Sequence, residues 1–365
     1  MPDQGGPFTY PPLPPDADAI RILILSAGDF NDPLECTLTS TAFGENPAYV
    51  ALSYTWGFPY PYMSEMHVSP DVAGSTAPLG GISTQNTPYI SNTASLRLNN
   101  QLFPVGPNLL LALLHLRSPK YTLPLWVDAI CINQADAEER NRQVSLMSYI
   151  YTRAIKVVAW LGTQRHKNMA DLFRILSLQW KAGHTRHLGA TIAEGRETRC
   201  SPQPTKATLV RISESTYWTR LWIVQEVCLP RLLLLAYGSD IWTLETFHQF
   251  SFQSTVQQSL PQPVLKNIGL MQRLFETRAK RYTDMMTLEN LIEGFCSNVC
   301  SELKDKVYGL LGFANDIRPS VDRDTGTMKR LQLHDAVGYT DTHPIFNHYD
   351  EMMKLTVPRA RRTRP

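Results

Sequence analysis

Short apolar runs, separated by polar connections rich in Gly and Pro, mark the first two-thirds of the chain. Residues 20–25 (IRILIL), 34–38 and 48–54 (AYVALSY) have the length and side-chain types of β-strands. Residues 96–105 (LRLNNQLFPV) read as a hairpin turned at Asn99 and Asn100, since asparagine tolerates the positive φ of a tight turn. Pro107 opens a helix through residue 117, where its missing N–H would have no intrahelical partner anyway. Runs at 123–128 (LPLWVD) and 156–161 (KVVAWL) are buried strands, the second stopped by Gly162. Between them, Asp136 and Glu139 form a D-x-x-E variant of the capping box. That box starts a helix to about residue 154, with Val144, Met147, Tyr151 and Ala154 on its inward face.

Strand, helix, strand with short connections predicts an α/β fold, a parallel sheet covered by helices. Downstream, the pattern predicts a helix near 168–181, a polar broken loop at 182–205, a helix at 215–228 ended by Pro230, and a strand at 231–237. From 243 onward the reading is helical, with pieces near 243–256, 264–280, 284–297 and 303–311. A Pro-rich leader at 1–19 reads as extended and poorly ordered, 58–93 as a long insertion loop, and 356–365 as a basic tail. The organisation is therefore leader 1–19, α/β domain 20–240, helical region 241–355 and tail 356–365.

Composition narrows the partners. The chain holds 35 Lys+Arg against 33 Asp+Glu, a net charge of +2, too even to point to nucleic acid or an anionic membrane. No apolar run approaches the ~20 residues of a membrane span, and the start lacks a signal-peptide pattern. Six cysteines in 365 residues are no disulfide framework, so the expectation is a reducing, cytoplasmic setting. Cys296 and Cys300 have no second pair to complete a zinc site, so no metal is expected. No phosphate-binding glycine motif and no hydrolase elbow occurs, so no resident cofactor is expected.

What remains is positional. Ligands of open parallel sheets bind beyond the carboxyl ends of the strands. Ser53, Tyr54, Trp56 and Gly57 close the 48–54 strand, and Asp128, Asn133 and Gln134 follow LPLWVD. These groups can orient a hydroxylated or amide-bearing ligand, with Trp56 as a stacking surface. They can equally satisfy loop backbone and cap the next helix, and the residues alone leave both readings open. Glu226 stands out in LWIVQEVCL: a carboxylate among apolar neighbours is desolvated, which costs free energy unless a donor compensates. Taken alone, a structural partner is the favoured reading for it, and Arg220 is a poor partner from its own helix.

Three blocks carry a resemblance to the fungal heterokaryon-incompatibility (HET) domain. They are YVALSYTWG at 49–57, LWVDAICINQADAEERNRQVSLMSYIYTRAIKVVAWLG at 125–162, and YWTRLWIVQEVCL at 217–229. The later stretch CSELKDKVYGLLGFA at 300–314 resembles the segment that follows the domain in many such proteins. The resemblance implies a cell-death effector in fungal nonself recognition, acting with protein partners and through self-association. It also implies a distant likeness to TIR domains and their flavodoxin-like sheet. By that likeness Trp222 and Glu226 in LWIVQE resemble the helix whose glutamate cleaves NAD in enzymatic TIR domains. Glu226 would then be the catalytic residue, NAD a substrate rather than a cofactor, and Ser53, Trp56, Gly57, Asp128, Asn133, Gln134, Trp222 and Gln225 the ligand-binding set. An inactive regulatory member is a further alternative. Phe58 departs from the small or acidic residue common after the W-G pair, and the 58–93 insertion departs from a compact cleft.

Overall fold

The computed structural model describes residues 8–14, 18–29, 32–56, 94–163, 201–300 and 305–316. Nine strands form one mixed sheet: β1 (Ala19–Leu25), β2 (Glu35–Ala42), β3 (Val50–Ser53), β4 (Ala94–Leu98), β5 (Gln101–Val105), β6 (Leu123–Trp126), β7 (Lys156–Trp160), β8 (Leu233–Tyr237) and β9 (Asp240–Thr243). Their order across the sheet is β5-β4-β2-β1-β6-β3-β7-β8-β9. The predicted parallel arrangement holds at the centre, where β6, β3, β7 and β8 run the same way. It fails at the flanks: β1 is antiparallel to β2 and β6, β4 to β5, and β8 to β9. Short connections join β1 to β2, β4 to β5 and β8 to β9, and short connections favour antiparallel pairs.

The hairpin turns where the sequence places it. Asn99 and Asn100 take φ of 48° and 67°, and Asn99 also accepts the Leu38 amide at 2.9 Å, tying the turn to β2. Helix α1 (Pro107–Leu116) begins at its proline as expected. Short α2 (Asp128–Cys131) follows β6, and the expected 136–154 helix is two pieces, α3 (Ala137–Ser145) and α4 (Met147–Arg153). Asp136 caps α3 by accepting the Glu138 and Glu139 amides. Glu139 does not complete the reciprocal box, because Arg21 and the Asn133 amide take its carboxylate.

Two further expectations change. The 215–228 helix is broken: a 3₁₀ turn spans Thr216–Thr219, and only Ile223–Cys228 is α-helical (α6), after α5 (Lys206–Ser213). Strand β9 was not visible in the pattern. The leader is anchored where it is described, with Phe8 and Tyr10 edge-on to Phe103 and the Pro11 carbonyl accepting from Arg21. The readings for 58–93, 168–181 and the basic tail lie outside the described residues, as does most of 182–205.

The remaining helices are α7 (Leu244–Ser251), α8 (Ser254–Gln257), α9 (Gln262–Ala279), α10 (Leu288–Phe295) and α11 (Asp305–Leu311), which makes the described C-terminal region helical as expected. Helix α9 packs on α5, α6 and the 3₁₀ turn, while α11 packs on α6 and α10. The core is continuous from β1 to α11: Trp126, Trp160, Trp218 and Trp242 are all fully enclosed. No helix among the described residues is long and apolar enough to cross a membrane.

Candidate functional site

Central strand β3 delivers the site. Its residues are buried on both faces, as strands inside a helix-covered parallel sheet are, and its last residue is Ser53. Ser53 lies beside Ala159 of β7 in register, while the end of β6 leads within two residues to Asp128. Ser53 and Asp128 thus emerge at the same carboxyl edge of the sheet.

Glu226 enters from α6. It is 1% exposed, and its Oε2 accepts a hydrogen bond from Ser53 Oγ. With its one proton committed there, Ser53 accepts from the Tyr217 hydroxyl at 2.7 Å. The relay Tyr217–Ser53–Glu226 therefore ends on the carboxylate. Arg220 Nη1 stands 3.7 Å from the same Oε2 and donates to the Tyr54 carbonyl at 2.5 Å. The helix break makes this pairing possible. Arg220 lies in the connection before α6 rather than on it, so the expectation that it is a poor partner from the same helix is corrected.

Asp128 forms the outer part. Its Oδ2 accepts from Trp56 Nε1 at 2.8 Å and its Oδ1 from the Ala129 amide at 2.7 Å. Trp56 is 50% exposed, so its indole forms a lip with its polar edge held inward. Two carboxylates and one guanidinium make the charges of the cluster. Burial pushes the Glu226 carboxyl up, against the opposing pull of Arg220 and Ser53. Burial raises Asp128 too, opposed by Arg220, Trp56 and the Ala129 amide. Burial pulls Arg220 down, but Glu226 and Asp128 together hold it above its ordinary value. Tyr217 and Tyr151 are driven upward by burial and then by Glu226, so both stay protonated. Such a site keeps negative charge poorly solvated and ready to stabilise a positive one.

The predicted set divides. Ser53, Trp56, Asp128 and Glu226 are brought together around Arg220. Asn133 instead serves the chain beneath: its amide donates to Glu139 at 2.6 Å and its side chain accepts from the Ala135 amide. Gln134 Nε2 braces the Asp128 carbonyl at 3.0 Å. Gln225 and Trp222 face α11, with Gln225 Nε2 donating to the Gly309 carbonyl at 2.8 Å and Trp222 packed by Gly309. Gly57 lies outside the described residues. Sequence reasoning missed Arg220 and Tyr217 as members, and the signal was present: Y-W-T-R-L-W places them three apart before the helix, on a segment that only tertiary contacts could show to be broken.

Among the described residues no group of three or more His, Cys, Asp or Glu could hold a metal ion. The free cysteines Cys131 and Cys228 are buried, and burial pushes each thiol up to about 12, which leaves them as inert packing groups.

A family model described as "Heterokaryon incompatibility protein (HET)" matches residues 49–226. The chain is also similar to "Heterokaryon incompatibility protein 6, OR allele" of Neurospora crassa, at 28% identity over 360 residues, covering 84% of this chain and 49% of that protein. The chain thus spans about half the length of that relative. No solved structure matches.

Proposed function

Residues 49–226 are a heterokaryon incompatibility (HET) domain, and from that premise we propose that the chain is a cell-death effector of fungal nonself recognition. It works in the cytoplasm with protein partners and through self-association. The observation that carries the reading is the buried Glu226, hydrogen-bonded by Ser53 and facing Arg220 at the sheet's carboxyl edge. All of these residues fall inside the matched span. A packed core has little use for a desolvated carboxylate with a partner as distant as 3.7 Å, so the cluster is better understood as a working site than as a brace.

The enzymatic alternative is cleavage of NAD at the nicotinamide ribose, with Glu226 stabilising the developing oxocarbenium charge. It stands second because Glu226 is enclosed by Ser53, Tyr217 and Arg220, and a ribose would have to reach past them. Expression in a fungal host tests the first reading. The parent chain should arrest growth, and Glu226→Gln, matched for protein level, should relieve the arrest. Full toxicity of the variant would remove the site from the mechanism. Nicotinamide release from purified, deliberately oligomerised protein tests the alternative.

A further inference from the structure

Helix α6, which carries Glu226, is held along its length by residues beyond the HET match. At its C-terminal end, Arg278 of α9 donates to the carbonyls of Val227 at 2.8 Å, Cys228 at 3.2 Å and Arg231 at 3.2 Å. The first two are acceptors that a helix end leaves without intrahelical donors, and the third lies just beyond it. In its middle, Gln225 reaches the Gly309 carbonyl of α11. Neighbouring Gly312 sits so close to α4 that an added Cβ would lie 2.5 Å from Ser148 Cβ. The third contact is the most informative. The Val299 amide donates to the Thr219 carbonyl at 2.6 Å, and the Leu221 amide donates to the Val299 carbonyl at 2.9 Å. Asn298 Nδ2 fills the gap by donating to the Arg220 carbonyl at 3.1 Å.

The three bonds of this last contact fall at residues 219–221, where the 3₁₀ turn ends and before α6 begins. A break leaves backbone groups that must find partners elsewhere, and here residues 298–299 supply them. That segment is fastened in turn by Lys306 of α11, whose ammonium donates to the carbonyls of Cys296, at 2.5 Å, and Asn298. The arm so fixed is the one whose side chain meets the Tyr54 carbonyl and Glu226.

We propose that Asn298 and Lys306 are positioning residues for Arg220, so that the helical region C-terminal to the HET match sets the electrostatics around Glu226. The inference rests on the reading of the Ser53–Glu226 cluster as the working site. Arg220 feels Glu226, Asp128, Tyr217 and Tyr151, and Glu226 feels Arg220, Ser53 and Asp128. Release of residues 298–299 frees the Arg220 backbone, withdraws its guanidinium and leaves Glu226 with Ser53 as its remaining donor. Any event that shifts α10 or α11 is thereby transmitted to the carboxylate without touching it.

Two variants of the whole chain test this, Asn298→Ala and Lys306→Gln, once circular dichroism shows the sheet retained. Amide exchange at Leu221 and Val224 should quicken about five- to tenfold, with β7 unchanged, as expected for loss of about one net hydrogen bond. In glutamate-¹³C-labelled protein the Glu226 carboxyl should titrate at higher pH than in the parent, because the cation that lowers it has moved. Faster exchange with an unchanged Glu226 titration would reduce the segment to packing and overturn the inference, and so would unchanged exchange. If the variants unfold, the parent decides: under low denaturant the Leu221 and Val299 amides must open as one unit with α11, and independent opening overturns the proposal. Toxicity of Glu226→Gln judges the functional reading separately, since the titration and exchange results stand whether or not the site kills cells.

Discussion

Arg21 with Glu139 joins sheet to helix and Arg220 with Glu226 joins the connection before α6 to that helix, and the two pairs are built to opposite standards. The first pair is bidentate, at 2.6 and 2.9 Å, with Arg21 2% and Glu139 8% exposed. Arg21 has its other donors met by the Pro11 and Cys131 carbonyls and lies over the Tyr10 ring at 4.9 Å. Burial alone would raise the Glu139 carboxyl, but Arg21 and the Asn133 amide outweigh it and hold it below its ordinary value. In the second pair the approach is 3.7 Å, one arginine serves two carboxylates, and burial wins, leaving Glu226 raised. A buried ion pair stabilises only when geometry and supporting hydrogen bonds repay desolvation. The first does so and is a brace; the second does not, and its incomplete compensation is what motivates the proposal of a working site there.

The sharpest way to break the contrast is to neutralise each glutamate. Glu139→Gln strands Arg21 in the core and should cost about 3–5 kcal/mol in chemical unfolding. Glu226→Gln should move stability by no more than about 1 kcal/mol, since the charge removed was poorly compensated. Equal losses would mean that both pairs are structural. Exchanging the arginines is gentler. Arg21→Lys gives up the fork that matches Glu139 and should cost about 1–3 kcal/mol, whereas Arg220→Lys, with no fork to lose, should cost under about 1 kcal/mol. Thermal midpoints of the two variants check the ranking.

The smallest effect is in pH dependence. Glu139, lowered in the fold, contributes stability present above the ordinary carboxylate value and lost as pH falls through its folded value. Glu226, raised in the fold, does the reverse: its contribution is full in acid and is lost as pH rises through its folded value. Glu139→Gln should therefore flatten the acid limb of a urea-midpoint profile. Glu226→Gln should lift the neutral side and leave the acid limb unchanged.

Local signals in the chain were reliable, and long-range ones were not. Asn99-Asn100 and Pro107 announce a turn and a helix start because each acts through its own backbone. The apolar runs of β3, β6, β7 and β8 announce strands because burial on both faces leaves little choice of side chain. Ser53, Asp128 and Glu226 were legible as polar exceptions at strand ends or inside an apolar helix. The partner of Glu139 was not, since a glutamate at the third helical position serves a cap or a distant arginine equally well. Nor was Arg220, whose helical appearance is overridden by Asn298 and Val299, some eighty residues away in sequence. The same distance hid the division of α6 into a Glu226 face and a Gln225 face.

The strand order also governs the chain's first moments on the ribosome. Strand β1 has β2 beside it as soon as both emerge, but β3 pairs only with β6 and β7, which are made later. Between Ser53 and Trp160 about a hundred residues must be translated, on the order of 5–20 s at cellular rates of synthesis. Until β6 is made the strand that carries Ser53 has both hydrogen-bonding edges open, and the edge that β7 takes stays open for longer. An apolar strand with an unpaired edge is a template for aggregation, so this is the interval in which the segment is most exposed to it.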